Sequence, residues 1–257
     1  LFDGRRLPPA METVVTAVPE RYRREHRRLR PHLIVCRHTL EHIPAVGEML
    51  DTIRATLDPE RDTAVVIEVP DVGRILDEGA FWDVYFEHTS YFSAGSLARA
   101  LRRSDHEVTD LYREYGDQYL IAHARAAREN AGDDTVTAGE PVEDLSARVE
   151  VFADRARRSV ARWRERVGDR PVIWGSGSKC VAFATTLGIA ERVAGVVDVN
   201  PHRHGRFMPG IGRAIMAPED LRNDPPRAIV AMNPIYRDEI EASVRALGLD
   251  SVVMALS

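Results

Sequence analysis

Residues 33–69 read LIVCRHTLEHIPAVGEMLDTIRATLDPERDTAVVIEV, and this stretch decides the fold. Leu33 to Cys36 is a short apolar run of the kind that forms a buried strand, and Ala64 to Val69 is a second. Between them Val46, Met49, Leu50, Ile53 and Leu57 recur at helical spacing. Strand, helix and strand in that order make a right-handed crossover between parallel strands. Continuous apolar strands suit a sheet covered on both faces. The expected class is α/β.

Downstream lies FWDVYFEHTSYFS, Phe81 to Ser93, where Tyr85, Glu87 and His88 place three proton-handling groups close together. A strand would put Tyr85 and Glu87 on one face and His88 on the other, so the segment is read as an irregular loop that can converge all three. Ser93 is placed to cap a short helix with Leu97 and Leu101 on one face. Glu107 to Tyr112 and Tyr119 to Ala124 read as strands joined at the Gly116-Asp117 turn, an antiparallel pair. The chain opens on Leu1 with sequence that looks like a domain interior. Residues 1–126 therefore read as the second half of a twisted sheet.

Residues 127–142 fall where the composition shifts to Ala, Gly, Asp and Thr, and are read as a linker. Leu145, Val149, Phe152, Ala156, Val160, Trp163 and Val167 then mark one long amphipathic helix. Beyond Pro171, VIW, an apolar helix to about Leu187, Val193 to Asp198, Ala228 to Met232, a helix from Tyr236 to Leu247 and Ser251 to Leu256 make residues 143–257 a smaller α/β domain with its own parallel sheet. A segment starting near Pro141 is expected to fold by itself.

Composition narrows the function classes. The 257 residues are 44% apolar and 29% charged, ordinary for a globular protein. No run of eighteen apolar residues and no leader pattern is present, so no membrane partner and a cytoplasmic location are expected. Cys36 and Cys180 are the two cysteines and form no CxxC pair, which argues against a cysteine zinc site in this chain. A net charge of −5 gives no general attraction to nucleic acid. The arginine-rich run Arg21 to Arg30 could grip a phosphate, but is read as the solvated face of a surface helix.

Three constellations carry possible chemistry. His38-Thr39-Leu40-Glu41-His42 matches the H-x-x-E-H zinc pattern in form. A strand runs up to it and Pro44 follows, so no continuous helix holds both histidines, and no metal is assigned. The carboxyl end of a parallel strand is instead where α/β sheets bind ligands. The second is Gly175-Ser176-Gly177-Ser178-Lys179 between a strand and a helix, with Asp198 ending the next strand, a partial dinucleotide fingerprint whose third glycine is Cys180. The third is the loop Asn200 to Gly210, whose arginines and histidines suit a diphosphate.

Taken in order from about residue 33 to 235, CRHTLEHIP, IEVPD, FWDVYFEHTSYFS, YGDQYL, WGSGSK and VVDVNPHRHGRFMPG resemble the S-adenosylmethionine-dependent C-methyltransferases that act on nucleotide-linked keto-deoxysugars. The resemblance implies the second half of a Rossmann-like class I methyltransferase domain followed by a smaller Rossmann-like domain. It implies S-adenosylmethionine as cofactor and a nucleotide-sugar substrate. That family carries a four-cysteine zinc module and the main cofactor-binding turn upstream, so the chain is expected to be truncated, with zinc only in the absent module. By the same resemblance Tyr85 and His88 are the base and enolate-stabilising pair, Glu87 an orienter or sugar ligand and His42 a further proton-handling residue. His38 is expected beside the cofactor, and Gly175, Gly177, Lys179, Asn200 and Arg206 against the nucleotide portion. Two other readings stand beside it: a non-catalytic nucleotide-sugar-binding remnant, and a nicotinamide oxidoreductase using the Gly175 turn.

Overall fold

The computed structural model describes residues 31–57, 62–128 and 142–256. The Arg21–Arg30 run and most of the linker lie outside the described residues. In chain order the elements are β1 Leu33–Arg37, α1 Val46–Arg54, β2 Ala64–Pro70, α2 Val72–Glu78, α3 Ala94–Arg103, β3 His106–Glu114, β4 Tyr119–Ala126, α4 Val142–Arg166, β5 Val172–Trp174, α5 Ser178–Leu187, β6 Gly195–Val197, β7 Ile215–Met216, β8 Ala228–Ala231, α6 Arg237–Ala246 and β9 Val252–Ala255. The protein is α/β, as its sequence implies, in a Rossmann-like arrangement. No described helix is long and apolar enough to cross a membrane.

The chain divides into two compact units. The first holds residues up to Pro70, Phe92–Tyr112 and Leu120–Gly139, and the second holds Asp71–Tyr91, Arg113–Tyr119 and Glu140 onward. The division is discontinuous, where the sequence suggested one cut at the linker.

In the first unit β1 pairs parallel with β2 in the register Leu33↔Ala64 to Arg37↔Glu68, and the sheet order is β1-β2-β4-β3. Its core joins Cys36, Leu50, Ile53, Val65, Ile67 and Leu120 to Leu97 and Leu101 of α3. The start of α3 is the expected one: the Ser93 side chain accepts from Ser96 N, and Ser96 Oγ in turn accepts from Ser93 N, a reciprocal capping box. Among the described residues β1 is an edge strand of its sheet, and Leu33 and Val35 of its apolar run are 47% and 51% exposed.

The second unit contains a five-stranded sheet in the order β7-β6-β5-β8-β9 with every pairing parallel. One face is covered by α4 and α5, and its core recruits residues from far upstream. Ile75, Ala80, Phe81 and Trp82 lie in one buried cluster with Trp163, Phe183, Ile173 and Val230. A segment starting near Pro141 would leave Trp163 and Phe183 without those neighbours.

The helix α2, unremarked in the sequence, starts where Asp71 accepts from Gly73 N and ends at Gly79 in the left-handed conformation, φ +63°. Arg148 of α4 pairs with Asp77 at 2.8 Å and donates to Gly73 O at 2.7 Å. At Gly79 a Cβ would stand 2.8 Å from the Arg155 backbone carbon. Gly79→Ala should therefore cost about 2–4 kcal/mol, the left-handed penalty plus a clash that backbone cannot relieve. Urea titration checks this, and a loss under about 0.5 kcal/mol would show that α2 and α4 are free to separate.

Candidate functional site

The candidate site residues Tyr85, Glu87 and His88 sit on an anchored loop of the second unit. A single 3-10 turn, Phe81–Asp83, buries all three of its side chains. The Phe81 ring packs 4.9 Å from Trp82 and 6.0 Å from Phe183, and Trp82 meets Trp163 edge-on at 6.4 Å between centroids. From that anchor the chain leaves as the irregular segment foreseen in the sequence. His88 N donates to Tyr85 O at 3.2 Å, closing a turn that brings the two rings to 4.3 Å between centroids. Tyr91 follows with its ring 5.8 Å from His88. Tyr85 and His88 are half-buried and Glu87 is exposed. Phe86, between them, is 98% exposed.

A phenol in contact with an imidazole is a proton-handling pair. A phenol near its ordinary pKa of about 10 is a poor base, and a neighbouring imidazolium stabilises the phenolate. Tyr91 is the weaker candidate, because burial, with Asp83 adding to it, pushes its phenol upward.

In the first unit the strand-end histidines take different places. His38 follows β1 with φ +46°, and its Nε2 lies 2.8 Å from Glu68 Oε1 and its Nδ1 3.6 Å from Glu41 Oε1. Both acids are buried, and Arg37 also binds Glu68 through two nitrogens. His42 is exposed at the end of the short 3-10 turn Leu40–His42. The H-x-x-E-H residues thus run from a strand end into a 3-10 turn and share no helical face.

The glycine-rich turn of the second unit is occupied by its own side chains. A Cβ on Gly175 would meet Met232 Cβ at 3.2 Å, whereas one on Gly177, the residue before α5, meets nothing within 4 Å. Asp198, the acid of the partial dinucleotide fingerprint, accepts from Ser176 N at 3.0 Å, Asn200 N at 2.9 Å and Arg203 Nη1 at 3.2 Å, and from Ser176 Oγ. Burial pulls its carboxyl up, but those hydrogen bonds and Arg203 outweigh it and hold the group below the usual carboxylate range. Asn200 accepts from His202 N at 3.0 Å and so shapes its own loop, on which Arg206 is exposed. Cys180, at the third glycine position, is a core residue whose thiol burial pushes up to about 12.

Lys179 is drawn away from the turn. Its Nζ donates to Gln118 Oε1 at 2.9 Å and pairs with Asp83 Oδ1 at 3.0 Å. Gln118 Nε2 donates to Asn233 Oδ1, at 3.0 Å, just beyond β8. Between β5 and β8 the strand order reverses, and the crevice at their carboxyl ends is the usual ligand position of such a sheet. Here that crevice receives Gln118.

Residues 110–251 match the family model described as C-methyltransferase C-terminal domain, and residues 6–111 match one described as methyltransferase domain. The chain belongs to the C-methyltransferase family. A similar protein is the C-methyltransferase NovU of Streptomyces niveus, 27% identical over 222 residues that make up 81% of this chain and 52% of that protein. The chain spans about half the length of the curated relative it matches. This family member carries a tyrosine-histidine pair on an anchored loop in one unit and an acid-histidine cluster at a strand end in the other. Asp83, Gln118 and Glu68 escape a residue-level reading. Their signals are an acid inside an aromatic run, a glutamine beside a Gly-Asp turn and an acid inside the apolar run AVVIEV.

Proposed function

We propose that the chain forms part of an S-adenosylmethionine-dependent C-methyltransferase that methylates the carbon next to the ketone of a nucleoside-diphosphate 4-keto-deoxysugar. The observation that carries the reading is the Tyr85–His88 contact, 4.3 Å between ring centroids, in a member of the C-methyltransferase family. Forming a carbon–carbon bond beside a ketone needs a base for the α-proton and a donor for the developing enolate oxygen. Tyr85 and His88 supply one group of each kind from a single turn, Glu87 orients the pair or meets the sugar, and His42 is a further proton-handling group. S-adenosylmethionine, when bound, supplies an electrophilic methyl group on a sulfonium. Among the described residues of the first unit no glycine-rich turn leads from β1 or β2 into a helix, and His38 is engaged with Glu68. The described residues fit at most the edge of that cofactor.

Gly177, with open space above its backbone, and Arg206, exposed on the 200–210 loop, are the groups best placed to meet the nucleotide portion. The dinucleotide oxidoreductase reading loses support, because the acid it needs, Asp198, already accepts four hydrogen bonds, two from Ser176 of the glycine-rich turn and two from Asn200 and Arg203 of its own loop.

Solvent exchange tests the proposal. The protein with a nucleoside-diphosphate 4-keto-deoxysugar in deuterated buffer should place deuterium next to the ketone faster than buffer alone. Incorporation at the protein-free rate would overturn it.

A further inference from the structure

We infer that Lys179 is a positioning residue, which clamps the reaction loop through Asp83 and does not touch the substrate. The inference rests on the proposed proton-handling role of Tyr85 and His88. Asp83 is 5% exposed and ends the 3-10 turn two residues before Tyr85. A carboxylate at that depth is stable only when charged partners satisfy it. Among the described residues it has two: Lys179 Nζ at 3.0 Å from Oδ1 and Arg74 Nη1 at 3.2 Å from Oδ2. Each cation is held in turn from behind. Arg74 spends its other nitrogens on Glu78, at 2.8 and 3.0 Å. Lys179 is fixed by Gln118, whose amide also bonds Asn233 and the Tyr115 carbonyl.

The turn that delivers Gln118 shows what this arrangement costs. Tyr115, Gly116 and Asp117 all have positive φ, 56°, 62° and 62°. Two of these are not glycine, and a side chain in the left-handed region carries a conformational penalty. Strain of this kind persists where surrounding contacts over-determine it. The contacts here include those of Gln118, which is 3% exposed, and the Tyr115 ring against Tyr119 at 5.6 Å between centroids. Trp82 fixes the base of the loop by packing, and Asp83 fixes its rotation by charge. Two residues later Tyr85 inherits both constraints, since two extended residues reach only about 7 Å.

The test uses Lys179→Met, which keeps the length and removes the charge, and Lys179→Arg, which restores it. Lys179→Met should lower turnover about 10²-fold, the size of effect expected from an ångström-scale misplacement of a catalytic group. KM should stay within about threefold, because uniform substrate binding is not lost. Lys179→Arg should recover most of the rate. Amide hydrogen exchange at residues 84–91 should quicken in Lys179→Met while the amides of β5, β6 and β8 are unchanged. A raised KM with unaltered turnover would instead make Lys179 a substrate ligand and overturn the inference. Quicker exchange throughout the unit with unaltered turnover per folded molecule would make it a stability residue only, which also overturns it. Tyr85→Phe run in parallel separates the two ideas. If that variant keeps full activity the base assignment fails, whereas loop exchange still reports directly on the clamp.

Discussion

Tyr85→Phe and His88→Ala should each lower turnover by about two to four orders of magnitude, the usual contribution of a positioned acid-base group. Substrate affinity should survive in both, because a group that works only on the reacting proton is felt in turnover and not in ground-state binding. The contact between the two rings makes a further demand. The centroids are 4.3 Å apart in one turn, and if the phenol and the imidazole serve a single proton transfer, as proposed, the double variant should cost far less than the product of the singles. Solvent exchange at the carbon next to the ketone gives an independent reading, since deprotonation can run when methyl transfer cannot. Exchange that persists undiminished in both variants would remove the pair from the base role and leave His42 as the next group to replace.

The parts of the fold that are legible in the sequence are those whose signal is local. The crossover from Leu33 to Val69 announces itself by two apolar runs and a helical period, and Ser93 announces α3 by its cap. Helix α2 escapes notice because seven residues give fewer than two full periods, although Asp71 stands at the capping position. Strand β7, two residues long, gives no period at all. What no local pattern carries is the fate of Phe81 and Trp82. Their neighbours Trp163 and Phe183 lie some eighty to one hundred residues downstream, and only packing shows that they meet. The same holds for Lys179. In a glycine-rich turn a lysine reads as an anion ligand, and it takes the placement of Asp83 and Gln118, both remote in sequence, to show the charge already met.

Trp82→Ala should cost the second unit about 3–5 kcal/mol, the usual range for emptying a buried aromatic site. Trp82 is fully buried, and its indole lies between Phe81 and Trp163. Its Nε1 has no hydrogen-bond partner among the described residues, so packing area and not a polar bond holds the ring. Trp82→Phe, which keeps most of that area, should accordingly cost less than half as much. A whole domain is commonly stable by about 5–15 kcal/mol, so the alanine variant would remove a large share of the total. The consequence reaches the loop, because the turn that Trp82 anchors is the one from which Tyr85 and His88 project. Activity should fall with the folded fraction, and turnover per folded molecule should fall too as the anchor loosens. Urea titration followed by tryptophan fluorescence and circular dichroism measures the stability term, with Trp163 and Trp174 remaining as reporters. A loss below about 1 kcal/mol would mean that the aromatic cluster closes over the gap, and the upstream segment would then contribute little to the core it joins.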